Sequence, residues 1–198
     1  MTPVATSLDL DAIVAQGWVD SGDFTAAEFE RARRFWHGIR AEDAYLDSVR
    51  AAAGAVIRRL TDAAWCDFGS QGLRLNLPGS DVDLGVGVKS RQWPRIRLAL
   101  EDKADCLGVV RTPFGSSRLA FTWRTGESTV DLSVVTPDVY EKARRMLTCI
   151  DTGMERDERI RFTWVKQLLH ASKKRDQYSA WKLMPYRRFC SGFIPFGN

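Results

Sequence analysis

Residues 81–88 read Asp-Val-Asp-Leu-Gly-Val-Gly-Val, an alternation of period two in which Val82, Leu84, Val86 and Val88 interleave with acidic or small residues. In a strand, residues two apart share a face. The segment therefore predicts a strand with its apolar side on a core and Asp81 and Asp83 side by side on the other. Two like charges held together are costly unless a cation compensates them. A hard cation such as Mg²⁺ takes oxygen ligands and leaves positions for water and substrate phosphate. A carboxylate pair on a rigid strand meets that need.

Two further segments extend the pattern. Asp131, in Ser-Thr-Val-Asp-Leu-Ser-Val-Val (128–135), is again flanked by apolar Val130 and Leu132, and a strand there can lie beside the first. Three carboxylates from two strands can hold two metal ions ~3.5–4 Å apart. Upstream, a short strand at 63–69 ends at Gly69-Ser70. Glycine lets the backbone approach a ligand closely, and the following N–H groups with the Ser hydroxyl can bind phosphate oxygens. The chain between Ser70 and Asp81 is long enough to turn and return as the neighbouring strand.

Helical patterns surround this sheet. Thr25-Ala-Ala-Glu28 has capping-box form and predicts a helix start. Residues 41–60 continue helical, with Leu46, Val49, Ala53, Val56 and Leu60 on one stripe and Gly54 weakening it slightly. Residues 91–105 suit a helix with Pro94 in its first turn, and three strands follow, the last two joined around Thr125-Gly126. From Thr136-Pro137-Asp138 onward the chain reads as helix, with further helices near 156–174 and 178–188. The expected fold is α+β, a small mixed sheet flanked by N-terminal (1–60) and C-terminal (137–198) helices around a core at 61–136, forming one compact unit.

Composition narrows the setting. At 198 residues, with 44% apolar and 27% charged residues, the chain suits a globular domain. No apolar run reaches the roughly 20 residues of a membrane span, and the N-terminus lacks the basic start of a secretory signal. A cytoplasmic protein without membrane association is expected. Four scattered cysteines without a CxxC pair, and only two histidines, argue for buried free thiols rather than zinc or disulfides. His37 and His170 read as structural or surface residues.

Gly69-Ser70, then Asp81-Val82-Asp83, then Asp131 resembles the signature of the polymerase-β nucleotidyltransferase superfamily. The stretch FGSQGLRLNLPGSDVDLGV (68–86) looks especially like that of non-templated terminal nucleotidyltransferases. The resemblance covers about residues 64–135. It implies a nucleotidyltransferase fold and transfer of a nucleoside monophosphate from an NTP, ATP among the candidates, to a hydroxyl acceptor with release of pyrophosphate. It implies Asp81, Asp83 and Asp131 as metal ligands for two Mg²⁺ ions, with Mn²⁺ as a substitute. Gly69 and Ser70 are then phosphate-binding. The Ser80 hydroxyl is placed to bind phosphate, to orient Asp83 or to cap a turn. The family also places a basic residue on the strand before the third Asp, which here is Arg118, with Arg111 competing.

The acceptor is less constrained. Residues 155–188 carry ten Lys and Arg against four acids, which tilts the expectation toward an RNA 3′ end, although a solvated helical face looks the same. Trp164, Trp181, Phe189 and Phe193 read as packing residues before base-stacking ones, and Tyr178 to Lys182 as a weaker nucleotide contact. Nucleotidylation of a small molecule or protein, and a non-catalytic nucleotide- or RNA-binding module, are the rival readings. Oligomeric state is not legible in the sequence.

Overall fold

The structure is a computed structural model and describes residues 6–112 and 115–192; Phe193 lies outside them. The chain divides into two compact units, residues 43–73 with 78–148, and residues 1–42, 74–77 and 149–198.

The first unit holds a five-stranded mixed sheet. Its strands are β1 (Trp65–Asp67), β2 (Val82–Gly87), β3 (Asp105–Arg111), β4 (Ser117–Thr125) and β5 (Ser128–Val135), in the order β1-β2-β5-β4-β3. β2 and β5 run parallel and every other pairing is antiparallel. Val82, Leu84 and Val86 on β2 and Val130, Leu132 and Val134 on β5 are at most 1% exposed. They pack on Leu46, Val49, Ala53 and Ile57 of α3 (Asp43–Leu60) and on Ile96 and Leu100 of α4 (Trp93–Leu100). In α3 the buried stripe turns through Ile57, leaving Val56 and Leu60 half-buried. Gly54 is no mere weakness there: a Cβ at this position would meet the Trp65 ring at 2.2 Å.

The opposite face of β2 carries Asp83, Gly85 and Gly87. The two glycines exist because aromatic rings lie directly over them. A Cβ on Gly85 would sit 2.2 Å from Phe68, and one on Gly87 would sit 2.8 Å from Tyr140 of α5 (Pro137–Gly153). Phe68 and Tyr140 stack at 5.8 Å. This face is therefore roofed at its far end, with Asp83 half-buried at the other.

The other unit is helical, comprising α1 (Leu10–Gln16), α2 (Ala26–Arg40), α6 (Arg156–Ala171), α7 (Arg175–Trp181) and α8 (Met184–Phe189), with the last residues of α5. α1 was not anticipated, although its signals are present: Asp9 accepts from the Ala12 N–H, and Gly17 closes the helix at φ +80°. The single helix expected over 178–188 is two short ones. Pro185 has no N–H to donate and its ring would strike the carbonyl four residues back, so α7 stops at Trp181 and α8 begins afresh. Trp18, Phe162 and Trp181 stack together, with Phe189 edge-on to Trp18. Trp164 is likewise buried. Trp164 and Trp181 are thus core, as expected of aromatics in helical segments, while Phe189 is half-buried.

Thr25 caps α2 as expected, accepting from the Glu28 N–H at 3.2 Å. The Glu28 carboxylate goes elsewhere. It is fully buried, accepting from Trp164 Nε1 at 2.7 Å, from the Thr6 and Ser7 hydroxyls, and from Arg31. Residues 74–77 belong to the same unit because Lys166 donates to the Leu75 carbonyl at 2.8 Å, Trp36 to that of Arg74, and Arg40 to the Asn76 side chain.

The cysteines depart from the expectation of burial. All four are free thiols, but only Cys190 is buried, and Cys106 is exposed because it lies on the edge strand β3. No helix among the described residues is long and apolar enough to cross a membrane.

Burial pushes the Glu28 carboxyl up, but its bonds from Trp164, Arg31, Thr6 and Ser7 outweigh that and hold it below its ordinary value. A carboxylate with a depressed folded pKa contributes stability above its unfolded value, which is lost as pH falls through the folded one. Glu28→Gln is thus expected to lower stability at pH 7 by about 1–3 kcal/mol. Its melting temperature will fall less steeply than that of the wild type as pH drops below roughly 4.3. Parallel melting-temperature profiles for the two proteins across that range would show that Glu28 carries no such linkage.

Candidate active site

All the candidate site residues lie in the sheet-bearing unit. The parallel register of β2 and β5 sets Asp83 directly beside Asp131. Their apolar neighbours, Val82 and Leu84 against Val130 and Leu132, face the core, so both carboxylates point to the opposite face. Both residues are half-buried. Across β5, Asp131 is level with Thr122 of β4, which in turn is level with Asp105 of β3. A single row thus crosses the sheet as Asp83, Asp131, Thr122, Asp105.

Gly69 completes the apposition. The β1–β2 ladder continues past Asp67, where the Phe68 N–H donates to the Asp83 carbonyl at 2.9 Å. That brings the next residue against the Asp83 side chain: a Cβ on Gly69 would lie 2.0 Å from Oδ2 and 2.5 Å from the Asp83 Cβ. Only glycine fits, so the start of the Gly-Ser turn and the carboxylate of β2 are in contact. Ser70 opens the turn at 70–74.

Asp81 stands one residue ahead of β2, outside its ladder, and is exposed. The expected strand is shorter at this end, since the register pairs begin at Val82↔Val130. Among the described residues no three Asp, Glu, His or Cys side chains converge on one point. The Asp83–Asp131 pair stands together, with Asp81 two residues up the chain. The donor set is carboxylate oxygen throughout, which is the chemistry a hard divalent cation takes and a soft one does not.

Arg118 lies on β4 at a position that shares the face of Ala120 and Thr122, and its guanidinium donates to the Ser133 hydroxyl at 2.6 Å. Ser133 is two residues beyond Asp131 on the same face. Arg111 pairs opposite Ser117, on the other face. Of the two competing arginines, Arg118 is the one that shares the sheet face of Asp83 and Asp131. The acid of β1, Asp67, is not part of the row: it pairs opposite the core residue Leu84 and forms an ion pair with Arg50 at 3.0 Å. Burial pushes its carboxyl up, against the pull of Arg50. An open groove of about 510 Å³ runs beside Thr122 and Thr129, lined by Glu101, Asp102, Lys103, Asp105 and Arg124.

The basic residues of 155–188 are largely committed to structure. Lys166 is buried on the Leu75 carbonyl, and Arg159 bonds to Asp151 and the Met154 carbonyl. Lys174 pairs with Asp11 at 2.6 Å, Arg188 lies over Trp18, and Arg156 meets His37. Lys173 and Arg175 are exposed. His170 lies against the Tyr178 ring, and Trp181 is too deeply buried to meet a base.

This is the nucleotidyltransferase fold that the Gly-Ser and Asp-x-Asp resemblance implied, a mixed sheet with flanking helices. Among solved structures, the chain is similar to a cytoplasmic RNA terminal U-transferase, with a TM-score of 0.50 at 18% identity over 71% of this chain and 47% of that one. It is similar to Cid1 in complex with its short product ApU, with a TM-score of 0.50 at 17% identity over 71% of this chain and 47% of that one. It also matches a chain of the GLD-2/RNP-8 complex, with a TM-score of 0.51 at 14% identity over 86% of this chain and 74% of that one. The chain spans about half the length of the first two. At these identities the likeness is one of fold. No family model and no curated protein matches the sequence.

The Gly69 contact yields a sharp expectation. Gly69→Ala forces a methyl group into the Asp83 carboxylate, so either the Gly-Ser turn or Asp83 must move. A misplacement of about 1 Å at a reacting centre costs on the order of 10²-fold in rate. Loss of less than about threefold in any NTP-dependent activity would place Gly69 outside the site.

Proposed function

We propose that this chain transfers a nucleoside monophosphate from an NTP to a hydroxyl acceptor, releasing pyrophosphate. The observation that carries the proposal is the side-by-side pairing of Asp83 and Asp131 with the Gly69 backbone against the Asp83 carboxylate. A carboxylate pair alone is common. A pair with a glycine-opened phosphate turn pressed onto it brings anion-binding and cation-binding groups to one place.

In this reading Asp81, Asp83 and Asp131 hold Mg²⁺. When bound, the ions neutralise the triphosphate and increase the acidity of the acceptor hydroxyl. Gly69 and Ser70 bind the β- and γ-phosphates through backbone N–H groups and the Ser hydroxyl. Ser80 lies next to Asp81 and assists in phosphate binding or in aligning the carboxylates. Arg118, anchored by Ser133, offsets charge on the phosphates. The acceptor oxygen bonds to the α-phosphorus as the bond from that phosphorus to the pyrophosphate oxygen breaks, and Asp131 receives the acceptor proton. Catalysis is then mainly positioning and charge neutralisation on a rigid sheet.

An RNA 3′ end is the favoured acceptor, since one similar structure is an RNA terminal U-transferase and another holds the short product ApU. The first of these is described as cytoplasmic, which supports the same setting for this chain. A second reading has its own support. The groove beside Thr122 is lined by three acids and two bases, a surface suited to a small cationic acceptor. The engagement of most C-terminal cations within the helical unit removes part of the electrostatic case for RNA.

Asp81→Asn and Asp83→Asn each remove a metal ligand without changing shape. Both are expected to abolish transfer while leaving the melting temperature of the metal-free protein unchanged or raised, because a repulsive charge is gone. The check is transfer of label from NTP in the presence of Mg²⁺. Rates within about tenfold of wild type for both variants, a change in barrier of only about 1.4 kcal/mol, would refute the assignment.

A further inference from the structure

Gln71 immediately follows the Gly-Ser pair, and its side chain is only 4% exposed. Its Nε2 donates to the Ser80 carbonyl at 3.2 Å. Its Oε1 is buried and has no hydrogen-bond partner among the described residues. One neutral hydrogen bond contributes modestly to stability, whereas a buried, unsatisfied carbonyl costs at least as much. Packing alone would be served as well by methionine, which has nearly the same length and shape and no polar atoms to satisfy. Fold stability therefore does not explain an amide at this position.

Its geometry does. The Ser80 carbonyl belongs to the peptide plane that also carries the Asp81 N–H, so fixing that oxygen fixes the plane from which the Asp81 side chain departs. Asp83 and Asp131 are oriented by the β2–β5 ladder, which begins only at Val82. Asp81 lies one residue outside it. The Gln71 amide holds the peptide that precedes Asp81, tying the residue after Ser70 to the residue before Asp81.

We infer that Gln71 is a positioning residue for Asp81, setting the approach of this third carboxylate to the Asp83–Asp131 pair. The inference rests on the nucleotidyl-transfer reading of the site. Outer groups that orient metal ligands typically change metal affinity by about 10–100-fold when removed. Gln71→Met in the full chain should therefore raise the Mg²⁺ concentration for half-maximal transfer by about tenfold or more, with excess Mg²⁺ restoring most of the rate.

A second readout does not depend on turnover. The rise in melting temperature produced by Mg²⁺ with an equimolar mixture of the four NTPs should shrink in Gln71→Met, while the melting temperature of the metal-free protein stays level or rises. A variant that melts lower without metal yet keeps the wild-type Mg²⁺ dependence would make Gln71 a structural residue and overturn the inference. Unchanged behaviour in both measurements would overturn it too. A wild type that shows neither transfer nor a metal-dependent rise would sink the reading of the site itself, and this inference with it.

Discussion

The parallel pairing of β2 with β5 is the constraint on which the rest of the site depends. Val82, Leu84 and Val86 must meet the core in step with Val130, Leu132 and Val134, and all six are essentially inaccessible. A slip of one residue would expose the whole apolar set, so the register is strongly specified. Asp83 and Asp131 are neighbours as a by-product of that register. Hydrophobic burial on one face sets two like charges side by side on the other, an arrangement that a bound cation would favour. The core thus contributes the energy that holds an otherwise unfavourable arrangement.

Three glycines then shape the face that the carboxylates occupy. Gly85 and Gly87 admit the rings of Phe68 and Tyr140, which roof one end, and Gly69 admits the backbone itself against Asp83. Phe68 and Gly69 are therefore both fixed by their packing on this face. Phe68 covers Gly85 with its side chain and extends the ladder with its N–H. Its successor, Gly69, touches a carboxylate. Arg118 reaches the same face by strand parity, and Ser133, itself 4% exposed, gives its guanidinium a fixed anchor.

Much of this was legible in the chain because it rests on short-range periodicity. The alternation from 81 to 88, the flanks of Asp131, the cap at Thr25 and the turn near Gly126 are local signals, and each element forms there, with β2 shortened to Val82–Gly87. What escaped was non-local. Gly54 reads as a weak helix residue until Trp65 is seen against it. Glu28 reads as half of a capping box, but its carboxylate is claimed by Trp164, 136 residues away. Lys166 and Arg159 read as part of a basic surface, whereas both are buried and bonded to backbone carbonyls. Gln71 had no signal of its own, since only the folded turn brings the Ser80 carbonyl to its amide. The break at Pro185, by contrast, is a local signal, since proline has no N–H to continue a helix.

On the proposed reading, the apposed groups act on the α-phosphate of an NTP. The protein is supplied with Mg²⁺, total cellular RNA, protein and small metabolites, and NTPs labelled at either the α- or the γ-phosphate. α-Label should enter an acceptor in a metal-dependent manner, while γ-label leaves only as pyrophosphate. Transfer of γ-label to an acceptor, or release of γ-label as free phosphate with no α-label incorporated, would contradict that reading.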